Sequence, residues 1–175
     1  MTSRFEPLGG ETEYEGKMFS VRSETFRHED GGEVTREIVR HQGAVGVVAH
    51  DDERIYLVRQ PREAVGLPDL LELPAGKLDV EGEEPLAAAK RELAEEIGKA
   101  AEHWEHLSTI YTSPGFSDEQ VHIYLATGLS DRKAEIEENE RIDIEARPLA
   151  ELDGLIDETR DSKTLIGLLE LRRRR

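Results

Sequence analysis

A chain of 175 residues is long enough for one good hydrophobic core with a small annex. Its 37% hydrophobic and 35% charged residues suit a globular protein with a heavily charged surface. A formal net charge of −16 and a pI near 4.8 exclude a general nucleic-acid binder, which needs a basic footprint. The absence of cysteine excludes disulfides, a thiolate nucleophile and a zinc–thiolate site. No run is apolar enough to resemble a signal peptide or to span a bilayer, so a cytoplasmic location without a membrane partner is expected.

In chain order, residues 1–11 read as polar and loosely ordered. From Tyr14 to about His41 the pattern predicts a small antiparallel sheet. Residues 19–23 and 24–28 alternate in part, Asp30-Gly31-Gly32 signals a turn, and 33–41 is a good strand. Such a meander buries little by itself. The expectation is therefore an N-terminal arm, residues 1–42, that pairs with a second subunit, followed by a main domain over 43–175.

Residues 43–49 form a run of small apolar side chains, the mark of a strand buried on both faces. A turn at 50–54 and a returning strand at 55–59 follow, then a loop over 60–69 with two prolines. Residues 85–97 predict a helix: Pro85 suits its first turn, alanines and leucines fill it, and Gly98 stands at its stop. Leu86, Leu93 and Ile97 give it a buried stripe. Candidate strands follow at 107–111, 121–127 and 142–147. A last helix over 162–171 carries Leu165, Leu168, Leu169 and Leu171, and the arginines at 172–175 snorkel, bind an acidic neighbour or fray. The alternation predicts an α/β (α+β) fold with a mixed sheet between helices.

The chain is organised around residues 72–98. Glu92 and Glu96 are four apart and share a helix face, with Glu95 beside them and Arg91 in reach. Like charges at this spacing repel unless a cation sits among them. A hard divalent ion would do that, since Mg²⁺ takes carboxylate oxygens and keeps waters and substrate phosphates in its shell. An acidic helix face is ordinarily just solvated. The tight turn Leu73-Pro74-Ala75-Gly76 leading into it, with a glycine that lets backbone approach a ligand, tips the balance.

These residues resemble the signature of the Nudix hydrolases. Gly76, Glu83, Arg91, Glu92, Leu93, Glu95, Glu96 and Gly98 fill the pattern. There are two departures. Six residues rather than five separate Gly76 from Glu83, and Lys99 stands where an aliphatic residue is usual. The resemblance implies the Nudix α/β/α sandwich with the N-terminal sheet arm. It also implies Mg²⁺, with Mn²⁺ equally suited to oxygen ligands, held by Glu92, Glu96 and the Ala75 carbonyl, and by Glu95 through water. Arg91 would orient the glutamates and Glu83 would hold the loop.

Pro114, sixteen residues after Gly98 in Ser113-Pro-Gly-Phe116, resembles the loop of the ADP-ribose pyrophosphatases within that family; alone it would be an ordinary turn. That resemblance implies hydrolysis of ADP-ribose to AMP and ribose 5-phosphate, by a homodimer. Another nucleoside diphosphate sugar as substrate, or a non-catalytic adenine-nucleotide sensor, are the alternatives. In the acidic run at 137–140, Glu138 takes the role of general base and Glu140 that of a further ligand, and a one-residue slip exchanges them. Arg62 resembles the family's phosphate-binding arginine. Arg36 resembles a residue that covers the adenine in a two-subunit site, with Phe19 stacking on the other side of the base, and Glu72 holds a ribose or an arginine.

Overall fold

The computed structural model describes residues 4–132 and 142–175. They divide into two compact units. One is the chain up to Gly43 together with Tyr111–Gln120; the other is Ala44–Ile110 with Val121–Arg175.

The first unit is a three-stranded antiparallel sheet, β1 (Phe5–Glu15), β2 (Phe19–His28) and β3 (Glu33–His41), in that order. The predicted hairpin is closed by Gly31 at φ +83°, where a side chain would be strained, with Asp30 Oδ1 accepting from Gly32 N–H at 2.8 Å. Of the loose N-terminus expected over 1–11, residues 1–3 lie outside the described residues, and from Phe5 on the expectation is corrected: β1 pairs with β2 along its length. All eleven of its residues are exposed, so it is ordered by backbone hydrogen bonds and carries no apolar alternation to read. Tyr111–Gln120 joins this unit through Val39, whose N–H donates to Phe116 O and whose carbonyl accepts from Asp118 N–H. Asp118 also accepts from Arg40 and from His41 N–H.

The second unit is a mixed seven-stranded sheet with helices on both faces. Its strands are β4 (Ala44–His50), β5 (Arg54–Arg62), β6 (Leu67–Glu72), β7 (Ala75–Lys77), β8 (Lys99–Tyr111), β9 (Gln120–Asp131) and β10 (Asp143–Pro148). The main path runs β10-β5-β4-β9-β8, with β6 on β5 and β7 on β4. Only the β4–β9 pairing is parallel among the registered pairs of this sheet. The helix α1 (Pro85–Ile97) lays Ala88, Ala89, Leu93 and Ile97 on Val45, Val47 and Val58. On the other face, α2 (Leu152–Glu158) and α3 (Ser162–Arg174) set Leu155, Leu168 and Leu171 against Val48, Ile55, Leu57 and Ile123. Each fully buried leucine or isoleucine contributes roughly 1.5–3 kcal/mol. The helix α3 comes so close that a Cβ on Gly167 would lie 2.6 Å from Leu73 Cδ1 and 2.8 Å from Val48 Cγ2.

Three expectations change here. The predicted loop over 60–69 is mostly strand: β5 continues to Arg62, a 3-10 turn covers Glu63–Val65, and β6 returns. Pro61 is tolerated because the register shifts between Gln60 and Arg62. The short helix α2 was not predicted; its seven residues include Gly154 and have no side-chain cap. Strand β8 starts at Lys99, immediately after the helix stop at Gly98 (φ +65°), whose N–H caps α1 on Leu93 and Ala94 carbonyls. The arginines at 172–174 bind acidic neighbours: Arg172 pairs with Asp153, Arg173 with Glu170, and Arg174 with Glu170 and Glu105.

Candidate functional site

In the second unit the site is built where α1 crosses the β7 strand. With Leu93 and Ile97 committed to the core, Glu92 and Glu96 lie on the flank that meets Ala75 and Gly76. Glu96 is 8% exposed, and its Oε2 accepts from Ala75 N–H at 2.8 Å. Gly76 lies so near Glu92 that a Cβ there would be 1.8 Å from the carboxylate carbon.

The backbone leading into this point is held residue by residue. Leu73 N–H donates to Thr164 Oγ1 on α3 at 2.8 Å, Pro74 O accepts from Val47 N–H at 2.8 Å, and Ala75 N–H is bound by Glu96. Ala75 and Gly76 pair with Gly46 and Val45 of β4. The Ala75 backbone is therefore fixed between two helices and a strand, the rigidity a ligating carbonyl requires.

Arg91 organises the carboxylates. Its Nε and Nη2 donate to the two Glu83 oxygens at 3.2 and 3.0 Å, and its Nη1 donates to Glu92 at 2.7 Å and Glu95 at 3.0 Å. The bonds to Glu83, with the nearby Glu92 and Glu95, hold this guanidinium above its ordinary range despite partial burial. The extra residue between Gly76 and Glu83 is absorbed in a turn where Glu83 N–H donates to Val80 O and Gly82 sits at φ +76°.

Among the described residues one guanidinium faces three carboxylates, with Glu96 as a fourth close by, a set of oxygen donors that suits a hard divalent cation. Among the described residues no group of three or more His, Asp or Glu side chains could hold a metal ion unaided. A cation here would draw on few protein oxygens and complete its shell with water and substrate oxygens, the habit of Mg²⁺. The all-oxygen donors and the close Gly76–Glu92 approach fit that ion.

A second cluster adjoins the first. Glu72, 1% exposed, accepts from Arg62 Nε at 2.5 Å and Nη2 at 2.8 Å and pairs with Lys163 on α3. Lys163 also lies 3.0 Å from Asp161, which caps α3 by accepting from Thr164 N–H and hydroxyl. Burial pushes the Glu72 carboxyl up, but Arg62 and Lys163 outweigh it and hold it below the usual range. Arg62 is raised chiefly by its bonds to Glu72, and it also feels Asp161 and Glu96. Of the two partners named for Glu72, the structure shows the arginine. Sequence reasoning missed Lys163, Asp161 and Thr164. The Asp161-x-x-Thr164 spacing signals a helix cap, but nothing local connects it to Glu72.

In the first unit, Arg36 and Pro114 border one cavity of about 440 Å³, with Phe5, Phe26, Tyr111 and Phe116 among its walls. Arg36 is exposed and donates only to its neighbour Thr35 O among the described residues. Phe19 is not part of this cavity. Its ring meets that of Tyr14 in a tilted contact with centroids 5.7 Å apart, at the opposite end of β2. The alternation Phe26-x-His28 facing Val34-x-Arg36-x-Ile38 was the available signal for these walls. Glu138 and Glu140 lie outside the described residues.

The chain matches the NUDIX domain model over residues 40–166. It is 51% identical over 126 residues to the ADP-ribose pyrophosphatase of Mycobacterium tuberculosis, a match covering 71% of this chain and 60% of that protein. It is 39% identical over 160 residues to the ADP-ribose pyrophosphatase of Bacillus subtilis, covering 89% and 85%. A crystal structure of an ADP compounds hydrolase superposes with a TM-score of 0.85 at 24% identity, covering 98% and 94%, a likeness of fold.

Proposed function

The chain belongs to the Nudix family, and from that premise we propose that it hydrolyses the pyrophosphate bond of ADP-ribose, giving AMP and ribose 5-phosphate. The observation that carries the reading is the pinned Ala75–Gly76 strand against Glu92 and Glu96, with Arg91 binding three glutamates. The names of the relatives support the substrate.

In this reading Glu92, Glu96 and the Ala75 carbonyl hold a divalent cation, Mg²⁺ or Mn²⁺, and Glu95 acts through water. When bound, such an ion would neutralise charge on the pyrophosphate and polarise it. Arg91 keeps the glutamate oxygens aimed, and Glu83 keeps Arg91 aimed. Arg62 takes a phosphate oxygen with the guanidinium edge that Glu72 leaves open. Glu138, in the acidic run 137–140, takes the proton from the attacking water, whose oxygen joins one phosphorus as the bridging oxygen leaves with the other, and Glu140 is assigned as a further ligand. Arg36 and Pro114 receive the adenosine end. Phe19, in contact with Tyr14 within its own chain, is placed on the other side of the base from Arg36, in a homodimer that exchanges contacts through the arm. We place this activity in the cytoplasm. Among the described residues no helix is long and apolar enough to cross a membrane.

The test is product analysis with ADP-ribose, with and without Mg²⁺. AMP plus ribose 5-phosphate, abolished by chelator, is the expected result. Glu92→Gln and Glu96→Gln should each lower kcat roughly 10²–10³-fold with the fold retained, the scale of losing one electrostatic contact to the reacting group. A fully active double variant would remove the ion from these residues.

A further inference from the structure

We propose that Lys163, on α3 and outside the family signature, is a positioning residue for the substrate's phosphates that acts through Arg62: it shares the buried Glu72, so that less of Arg62's charge is compensated when it meets the anion. The inference rests on Arg62 taking a phosphate, as above.

The geometry that points to it is a shared carboxylate. Glu72 is 1% exposed and accepts from both cations, with Arg62 on both its oxygens and Lys163 on Oε2. Arg62 Nη1 makes no hydrogen bond among the described residues, and the side chain is 41% exposed, so one guanidinium edge faces outward while the other is locked. Locking alone would not make a good phosphate grip. An arginine paired one-to-one with a buried carboxylate presents little net charge, and Asp161 and Glu96 add further negative field around it. Lys163 supplies the balancing charge. It is itself only 14% exposed and is held by Glu72 and Asp161, so it is not placed to bind the anion directly.

The arrangement also explains why α3 begins where it does. Asp161 caps the helix through Thr164 N–H and hydroxyl, Thr164 Oγ1 in turn receives Leu73 N–H, and Lys163 lies between them. One helix turn thus fixes Arg62's partner and the backbone that runs into Ala75. A lysine at a helix start carries no sequence signal for this task.

The test is a double-mutant cycle on the full untagged chain with ADP-ribose and Mg²⁺. Lys163→Met should raise KM about tenfold while kcat changes less than about threefold, the mark of an effect on binding. In an Arg62→Met background the same change should raise KM by less than about twofold, because the residue it acts through is gone. Calorimetric binding of an α,β-methylene analogue of ADP-ribose without metal should repeat the pattern. Circular dichroism melting checks the fold. Should Lys163→Met fail to fold, Lys163→Gln keeps a donor to Glu72, removes only the charge, and is judged by the same criteria. An unchanged KM, or an increase that adds in full to that of Arg62→Met, overturns the proposal. If the wild type does not hydrolyse ADP-ribose, the reading of the previous subsection falls, and the cycle is judged on binding of inorganic pyrophosphate instead.

Discussion

Gly76→Ala tests the closest contact in the site. Gly76 has an ordinary negative φ, so alanine meets no backbone penalty. Its Cβ, however, would lie 1.8 Å from Glu92 Cδ, 1.9 Å from Oε1 and 2.4 Å from Cγ. Real Cβ contacts essentially never fall under 3.0 Å, so the carboxylate must retreat by at least about 1.2 Å. Arg91 holds that carboxylate at 2.7 Å and cannot follow without loosening Glu83 and Glu95. A displacement of about 1 Å at a reacting centre lowers turnover roughly 10²-fold. Stability should suffer less, by about 1–2 kcal/mol, because a side chain rather than backbone gives way. The assay is kcat with ADP-ribose and Mg²⁺ beside a thermal melt, with Gly82→Ala as control, since Gly82 has positive φ but nothing within 4 Å of a Cβ. The control should lose about 1 kcal/mol of stability and no activity. Gly76→Ala turning over within threefold of wild type would refute the view that Glu92 must stand where it does.

Arg91→Met leaves Glu83, Glu92 and Glu95 facing one another and should cost about 2 kcal/mol without metal; Mg²⁺ should then raise its melting temperature more than that of wild type, and an equal rise would count against the cluster as a cation site. Gly167→Ala drives a methyl against Leu73 and Val48 and should cost about 1–3 kcal/mol, read by urea unfolding. Glu145 is pushed up by burial but held lower overall by Arg147 and Arg59; its folded pKa is below its unfolded value, so its contribution is full above the ordinary glutamate range and lost as pH falls through the folded pKa, and Glu145→Gln should flatten the acid limb of melting temperature against pH. Raising monovalent salt from 10 to 150 mM shortens the Debye length from about 30 to about 8 Å; at fixed Mg²⁺, kcat/KM should rise or hold steady as distant repulsion from a chain of net charge −16 is screened, and a steep fall would show that long-range attraction governs capture.

What could be read from the sequence was what local spacing determines. Pro85, Gly98 and the Leu93–Ile97 stripe set the limits and the buried face of α1, and the four-residue step placed Glu92 and Glu96 together on its flank. Strand β1 escaped because an exposed strand ordered by its backbone leaves no pattern in its side chains. The β5–β6 hairpin escaped because prolines argue for loops unless a register shift accommodates them. Lys163 escaped for a different reason: it is 91 residues from Glu72, and no period links them. Phe19 and Arg36, expected on two sides of one base in a two-subunit site, stand apart within the chain: Phe19 meets Tyr14 at one end of β2, and Arg36 pairs opposite Glu24 further along. Strand residues of similar character separate whenever their distance along the strand exceeds the reach of a side chain.

The charge balance of the site follows from the same geometry. With 39 acidic and 23 basic residues, the chain has few cations to spare for an anionic substrate, and those near the site are already engaged. Arg91 serves three carboxylates, Arg62 shares Glu72 with Lys163, and Lys163 also answers Asp161. Each basic side chain therefore orders acidic ones before it can meet a phosphate. Such a site is poorly suited to hold a diphosphate by side chains alone, yet well suited to hold a divalent ion that brings the diphosphate with it. The glutamates around Arg91 and the near-neutral cluster around Glu72 are thus complementary in the proposed reaction: the first would recruit the cation, and the second would leave one guanidinium edge for the phosphate that cation carries.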